Sequence, residues 1–105
     1  MLRIKMEYKK GILFIRLKGN LNAFTSNRFS EYTIPIIENY KVKYMVYNLQ
    51  DLVSLDNFGE DALLKSGEKV KDNHGRVLIV NNKINTTLNF DNISSELVAL
   101  DLLRT

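Results

Sequence analysis

Two runs of alternating apolar and polar residues, separated by a short polar turn, limit what this chain can fold into more than any other feature. In residues 3 to 9, Ile4, Met6 and Tyr8 alternate with Arg3, Lys5 and Glu7, the period of a strand with one buried face. From Ile12 to Lys18 the alternation resumes, with Leu13, Ile15 and Leu17 on one side and Phe14, Arg16 and Lys18 on the other. The link between them, Lys9-Lys10-Gly11, is polar and contains glycine. Strands joined this closely have no room for a crossover and must pair as an antiparallel hairpin.

Beyond Gly19 the period changes. Thr25-Ser26-Asn27 supplies N-cap candidates for a helix over residues 26 to 41, whose apolar positions Phe29, Tyr32, Ile36, Ile37 and Tyr40 approximate helical spacing. Pro35 falls inside it and removes a backbone donor, at a cost of about 3 kcal/mol in an unrelieved helix interior. A kink, or a fresh start capped by Thr33, is therefore expected. Tyr44-Met45-Val46-Tyr47-Asn48-Leu49 alternates little and suits a central strand covered on both faces. A loop over 50 to 56 leads to a second helix, with Asn57 as cap, Glu60 as capping-box partner, and Ala62, Leu63, Leu64 and Val70 as its apolar side. Asn73-His74-Gly75 closes that helix. Val77-Leu78-Ile79-Val80 reads as a further buried strand, the stretch around Ile84, Leu88 and Phe90 as a short helix or irregular segment, and Leu97 to Leu103 as a last alternating run.

The order is β-β-α-β-α-β-(α)-β. It predicts an α/β fold in one domain, residues 1–105: a mixed, mostly parallel sheet with an opening β-hairpin and right-handed helical crossovers. A chain of 105 residues with 45% hydrophobic content is long enough to bury a single core. With no cysteine, packing rather than disulfides or thiolate-bound metal must hold it, as suits a reducing cytoplasm. The N-terminus lacks the apolar core of a signal peptide, and no apolar run approaches the roughly 20 residues of a membrane-spanning helix. A cytoplasmic location without membrane insertion is the expectation. The net charge of +3 reads as scattered, since Lys9-Lys10, Lys41 and Lys43, and Lys65, Lys69 and Lys71 lie in different elements among acidic residues. Nucleic-acid binding is not expected.

Two stretches stand out: Gly19-Asn20-Leu21-Asn22-Ala23-Phe24-Thr25-Ser26, and the run from Val46 through Asn48-Leu49 to Asp56-Asn57-Phe58-Gly59. The first is similar to the turn after the second strand, and the second to the central strand and loop leading to Asp-Ser-Ser-Gly at a helix start, in the bacterial anti-sigma factor antagonists of the STAS domain family. The resemblance covers about residues 4 to 93 and implies a STAS-like fold. Family members usually end in a C-terminal helix, which this chain, stopping soon after its last apolar run, is expected to lack.

In the family the second serine of Asp-Ser-Ser-Gly accepts phosphate from the partner kinase. The counterpart here is Phe58, which has no hydroxyl, so no phosphoacceptor stands at the family position. Ser54 is the nearest hydroxyl, although a loop serine bonded to local backbone explains it better. The resemblance implies a non-catalytic module that docks on an anti-sigma factor or a related GHKL-type regulatory kinase. The expected contacts are Ser54, Asp56, Asn57, Phe58, Gly59, Glu60 and Leu63. Asp56 and Asn57 also have a purely structural reading, because either oxygen can satisfy free amides at a helix start. Whether Phe58 is core or surface stays open.

Other readings are weaker. The missing serine also fits a STAS-like regulatory or structural subunit of a larger assembly, such as a transporter or stress-signalling complex. Asp51, Asp56, Glu60 and Asp61 match no metal loop, and acidic residues near a helix start follow from its dipole. One histidine, His74, and no cysteine offer little for zinc or for a Cys-His nucleophile. The five glycines form no phosphate-binding loop. No enzyme activity, cofactor or metal is expected, and the oligomeric state is undetermined by the sequence.

Overall fold

The computed structural model describes residues 1–81 and 83–103. Its elements follow in the order β1 (Leu2–Lys9), β2 (Ile12–Leu21), α1 (Ser26–Asn39), β3 (Tyr44–Leu55), α2 (Asn57–Asp72), β4 (Arg76–Val80), β5 (Asp91–Ile93) and α3 (Glu96–Leu102). The strands form one sheet in the order β1-β2-β3-β4-β5. β1 and β2 are antiparallel and every later pairing is parallel. Lys10 and Gly11 turn the hairpin with φ of 53° and 79°. Positive φ at both central residues is what a two-residue type I′ turn requires.

The middle strands are longer than their sequences suggest. β2 continues past Gly19 to Leu21, and β3 runs through the expected loop to Leu55, so that Asp56 alone separates it from α2. Register shifts after Arg16 and Gly19 make the extension possible, pairing Gly19 with Leu52, Asn20 with Ser54 and Leu21 with Leu55. Leu21 and Leu52 then enter the core while Asp51, Val53 and Ser54 stay at the surface.

The sheet carries two unequal cores. On one face α1 and α2 cover Leu13, Ile15, Leu17, Met45, Tyr47 and Ile79. On the other, Ala99 and Leu103 pack against Ile12, Phe14, Val46, Leu78 and Val80. The C-terminal helix expected to be missing is therefore present, though short, and Leu97 to Leu103 is not a strand. The final strand is instead the three-residue β5. A polar tie fixes α3 in place: Arg16 donates from Nε and Nη2 to the Glu96 carboxylate at 2.8 and 2.7 Å, and Asn48 Nδ2 donates to it at 2.8 Å. These donors hold the Glu96 carboxyl below the usual carboxylate range, the Arg16 hydrogen bonds contributing most.

α1 passes through Pro35 without a break, and Thr33, fully buried, starts no new helix. Proline at 35 deprives the Glu31 carbonyl of its amide. Both residues are exposed, so water can take the vacant acceptor. The cations are also less scattered than the sequence suggested. Six of the fifteen Lys and Arg residues, but one of the twelve Asp and Glu residues, precede Asn20, and the hairpin brings those six into one unit.

Candidate functional site

β2 and β3 end side by side, and their ends form a platform at the start of α2. Asp56 leaves β3 extended, with φ −104° and ψ −176°, and its amide donates to the Leu21 carbonyl at 3.3 Å. Its carboxylate has two tasks. Oδ1 accepts from the Gly59 amide at 2.9 Å, capping α2, and Oδ2 accepts from the Ala23 amide at 3.1 Å, holding the turn between β2 and α1. Asp56, rather than Asn57, is thus the cap.

The capping box expected at Glu60 does not form. The Glu60 carboxylate instead accepts from the Thr86 hydroxyl and, at 2.8 Å, from the Thr87 amide, tying down the irregular segment before β5. Those hydrogen bonds, the Thr86 one first, lower its carboxyl below the usual range. With Asp56 as the cap, the box position three residues on is Gly59, which has no side chain to turn back, and the Asp56 amide already bonds to Leu21.

Gly59 is buried because α2 begins almost against β2. A Cβ there would lie 2.3 Å from the Leu21 carbonyl oxygen and 2.8 Å from Leu55 Cδ1. The buried stripe of α2 is Gly59, Ala62, Leu63, Ser66, Gly67 and Val70, mostly small residues that permit a close approach to the sheet. Leu63, expected at the docking surface, belongs to that stripe and is completely buried. The fully buried Tyr47 hydroxyl donates to the Leu63 carbonyl at 2.9 Å. Its phenol is pushed up in pKa, chiefly by burial.

Phe58 lies outside the stripe, and 63% of it faces solvent. Asn57 beside it is exposed. Ser54 is exposed at the end of β3 and donates its hydroxyl to Asn20 Oδ1 at 2.6 Å, bridging the two strand ends. Val53, beside Ser54, is 75% exposed, and Phe24, which sequence reasoning did not place at the surface, is 95% exposed. Phe24 follows directly on the amide that Asp56 holds, and Asn22 Oδ1 accepts from its own amide at 2.9 Å. A signal existed: Phe24 stands in a turn between a strand and a helix, where a large apolar side chain has little to pack against.

The carboxylates do not converge. Asp56 caps α2, Glu60 binds Thr86 and Thr87, Asp61 pairs with Lys65 at 3.0 Å, and Asp51 sits across from Lys18 in the sheet. Among the described residues no three His, Asp or Glu side chains gather as a metal site. His74 lies at the opposite end of α2, in the left-handed region with φ 62°. The platform presents exposed aromatic rings on hydrogen-bonded turns, an arrangement suited to contact with another surface.

A single sheet opened by an antiparallel hairpin, continued by parallel crossovers and flanked by helices defines a mixed α/β domain. The STAS domain model matches residues 3–94, and the chain belongs to the STAS domain family. The anti-sigma F factor antagonist of Paenibacillus polymyxa is 26% identical over 78 residues, 74% of this chain and 67% of that protein. Solved structures show the same fold. The anti-sigma factor antagonist SpoIIAA in its unphosphorylated form superposes with a TM-score of 0.79 at 18% identity, covering 96% of this chain and 97% of that one. An anti-sigma factor antagonist from Mycobacterium paratuberculosis gives 0.80 at 14% identity, covering 100% and 96%. No helix among the described residues is long and apolar enough to cross a membrane.

Proposed function

We propose that this domain acts without catalysis, by docking on an anti-sigma factor or related regulatory kinase through the platform at the start of α2. The observation that carries this reading is the exposure of Phe58 in the first turn of a helix whose start is fixed by Asp56. An exposed aromatic on an ordered turn is a suitable interface anchor, because little further ordering is needed on association. Phe58 takes the place where family members carry their phosphoacceptor serine, so the docking surface has no phosphate switch there. Ser54 has a hydroxyl, but one already engaged with Asn20.

The decisive measurement is binding of the purified domain to its cognate anti-sigma factor. Phe58→Ala should weaken association by about 2 kcal/mol if Phe58 is a hot spot, and should shift thermal stability little, since truncating an exposed side chain leaves no core cavity. A loss of several kcal/mol of stability with unchanged binding would overturn the reading. Incubation with ATP and the cognate kinase, followed by peptide mapping, should leave the segment from Val53 to Leu63 unmodified. Phosphate on Ser54 would show that the switch has moved. The missing hydroxyl also favours a second reading, a regulatory or structural subunit of a larger assembly. Recovery of a transporter or scaffold instead of a kinase with the protein from its native cell would select it.

A further inference from the structure

The first strand offers a second surface, at the opposite side of the sheet from β5. β1 is an edge strand that pairs with β2 alone. In a two-residue hairpin the closing pair, Lys9 and Ile12, exchanges both hydrogen bonds, and the alternation of the ladder then turns the N–H and C=O groups of Ile4, Met6 and Tyr8 outward. The Leu2 carbonyl follows the rule, accepting a hydrogen bond from Arg28 of α1.

The side chains along this edge are sorted by face. Toward α1, Met6 and Tyr8 stand with Ile36 and Tyr40 around one apolar hollow, and Ile4 stands with Arg28 and Tyr32 around the next. Tyr8, Tyr32 and Tyr40 are each more than half exposed. On the other face Arg3, Lys5, Arg16 and Lys18 surround a shallow depression, with Asp51, across from Lys18, as the one carboxylate in its lining. The register puts Arg3 across from Lys18 and Lys5 across from Arg16, like-charge pairs that work against the hairpin. Arg16 is compensated by Glu7 and Glu96. Among the described residues no carboxylate forms an ion pair with Arg3, Lys5 or Lys18.

We propose that β1 is a docking edge for an extended segment of a partner protein in which acidic and apolar residues alternate, added to the sheet as a sixth strand. The two-residue period of such a segment sends its apolar side chains toward the tyrosine-lined hollows and its carboxylates over the cations, while its backbone bonds to the outward groups of Ile4, Met6 and Tyr8. A second copy of this chain is the wrong occupant. Pairing β1 with β1 antiparallel about Met6 would set Arg3 against Lys9, and although Lys5 would then meet Glu7, each strand brings three cations and one carboxylate, so the two edges repel on balance.

The test is an NMR titration of the labelled domain with a peptide about the length of β1 that alternates glutamate and valine, against a control of the same composition in two blocks. The alternating peptide should slow amide hydrogen exchange at Ile4, Met6 and Tyr8 and bind about tenfold or more tightly than the block peptide. Lys5→Glu with Lys18→Glu should remove a similar factor. Met6→Pro should abolish the protection, because its ring deletes an outward amide and leaves the bonds to β2 intact. Should Met6→Pro fail to fold, the exposed charge variants still decide the matter. Failure of the wild-type domain to bind the alternating peptide would overturn the proposal. Equal binding of the block peptide would overturn it too, showing unspecific attraction of a polyanion. A β1-mediated dimer, abolished by Met6→Pro, would replace the proposed occupant with a second copy. Phe58→Ala should bind the peptide as the wild type does, which separates this edge from the platform on α2.

Discussion

At Gly59 a single carbon decides whether α2 can start where it does. The 2.3 Å approach to the Leu21 carbonyl leaves no room for a methyl group and involves backbone, which cannot rotate away. Gly59→Ala should therefore destabilise the domain by about 1–3 kcal/mol, measured by denaturant unfolding, despite its better helix propensity. Asp56→Ala should cost about 1–2 kcal/mol, and Asp56→Asn distinctly less, because an amide oxygen can still cap α2. The exposure of Phe58 was harder to read from the sequence, since one aromatic beside an apolar helix side fits either face. The stripe of small residues from Gly59 to Gly67 contains the answer, but only once glycine and serine count as buried positions alongside Leu63 and Val70. Glu60 was misread because a residue three places after a cap fits the capping box, while its real partners, Thr86 and Thr87, lie 26 and 27 residues away.

Among the elements, local signals identified those whose pattern is local. Alternation and a glycine turn specify the hairpin, and helical spacing specifies α1 and α2. β3 was cut short at Leu49 because its extension is stabilised by pairing with β2 across two register shifts, which no local pattern records. α3 was mistaken for a strand because five of the seven residues from Leu97 to Leu103 are Leu or Val, a run that supports either period. What settles it is the salt link from Glu96 to Arg16, 80 residues apart. That link makes a prediction with a defined sign. The folded-state carboxyl of Glu96 is depressed, so its contribution is complete above the unfolded value, about 4.3, and disappears as the pH falls through the folded one. Glu96→Gln should lower stability by about 1 kcal/mol near neutral pH, a modest figure because water still reaches both side chains. Unfolding curves of the two proteins should converge in acid. Pro35→Ala in α1 should raise the melting temperature, restoring an amide for the Glu31 carbonyl; no gain would mean that water already satisfies that carbonyl fully.

For the molecule as a whole, the imbalance between its two cores predicts uneven opening. α1 and α2 seal the larger core, while α3 covers the smaller one with little more than Ala99, Leu103 and the Arg16 tie. Native-state hydrogen exchange should show α3 and β5 opening at a lower free energy than β2, β3 and α2, and Glu96→Gln should widen the gap. Equal protection throughout would mean that the two faces open as one cooperative unit. The Asp56 carboxylate has the opposite effect at the other end of the sheet. One side chain grips both the turn bearing Phe24 and the helix start bearing Phe58, so the two backbone segments that carry the rings are held together. On the proposed docking, a partner that engages Phe58 would meet the turn bearing Phe24 already in place, as with two prongs of a plug. Losing that grip would leave both rings present but unsynchronised, and the complex would form more slowly before it became much weaker.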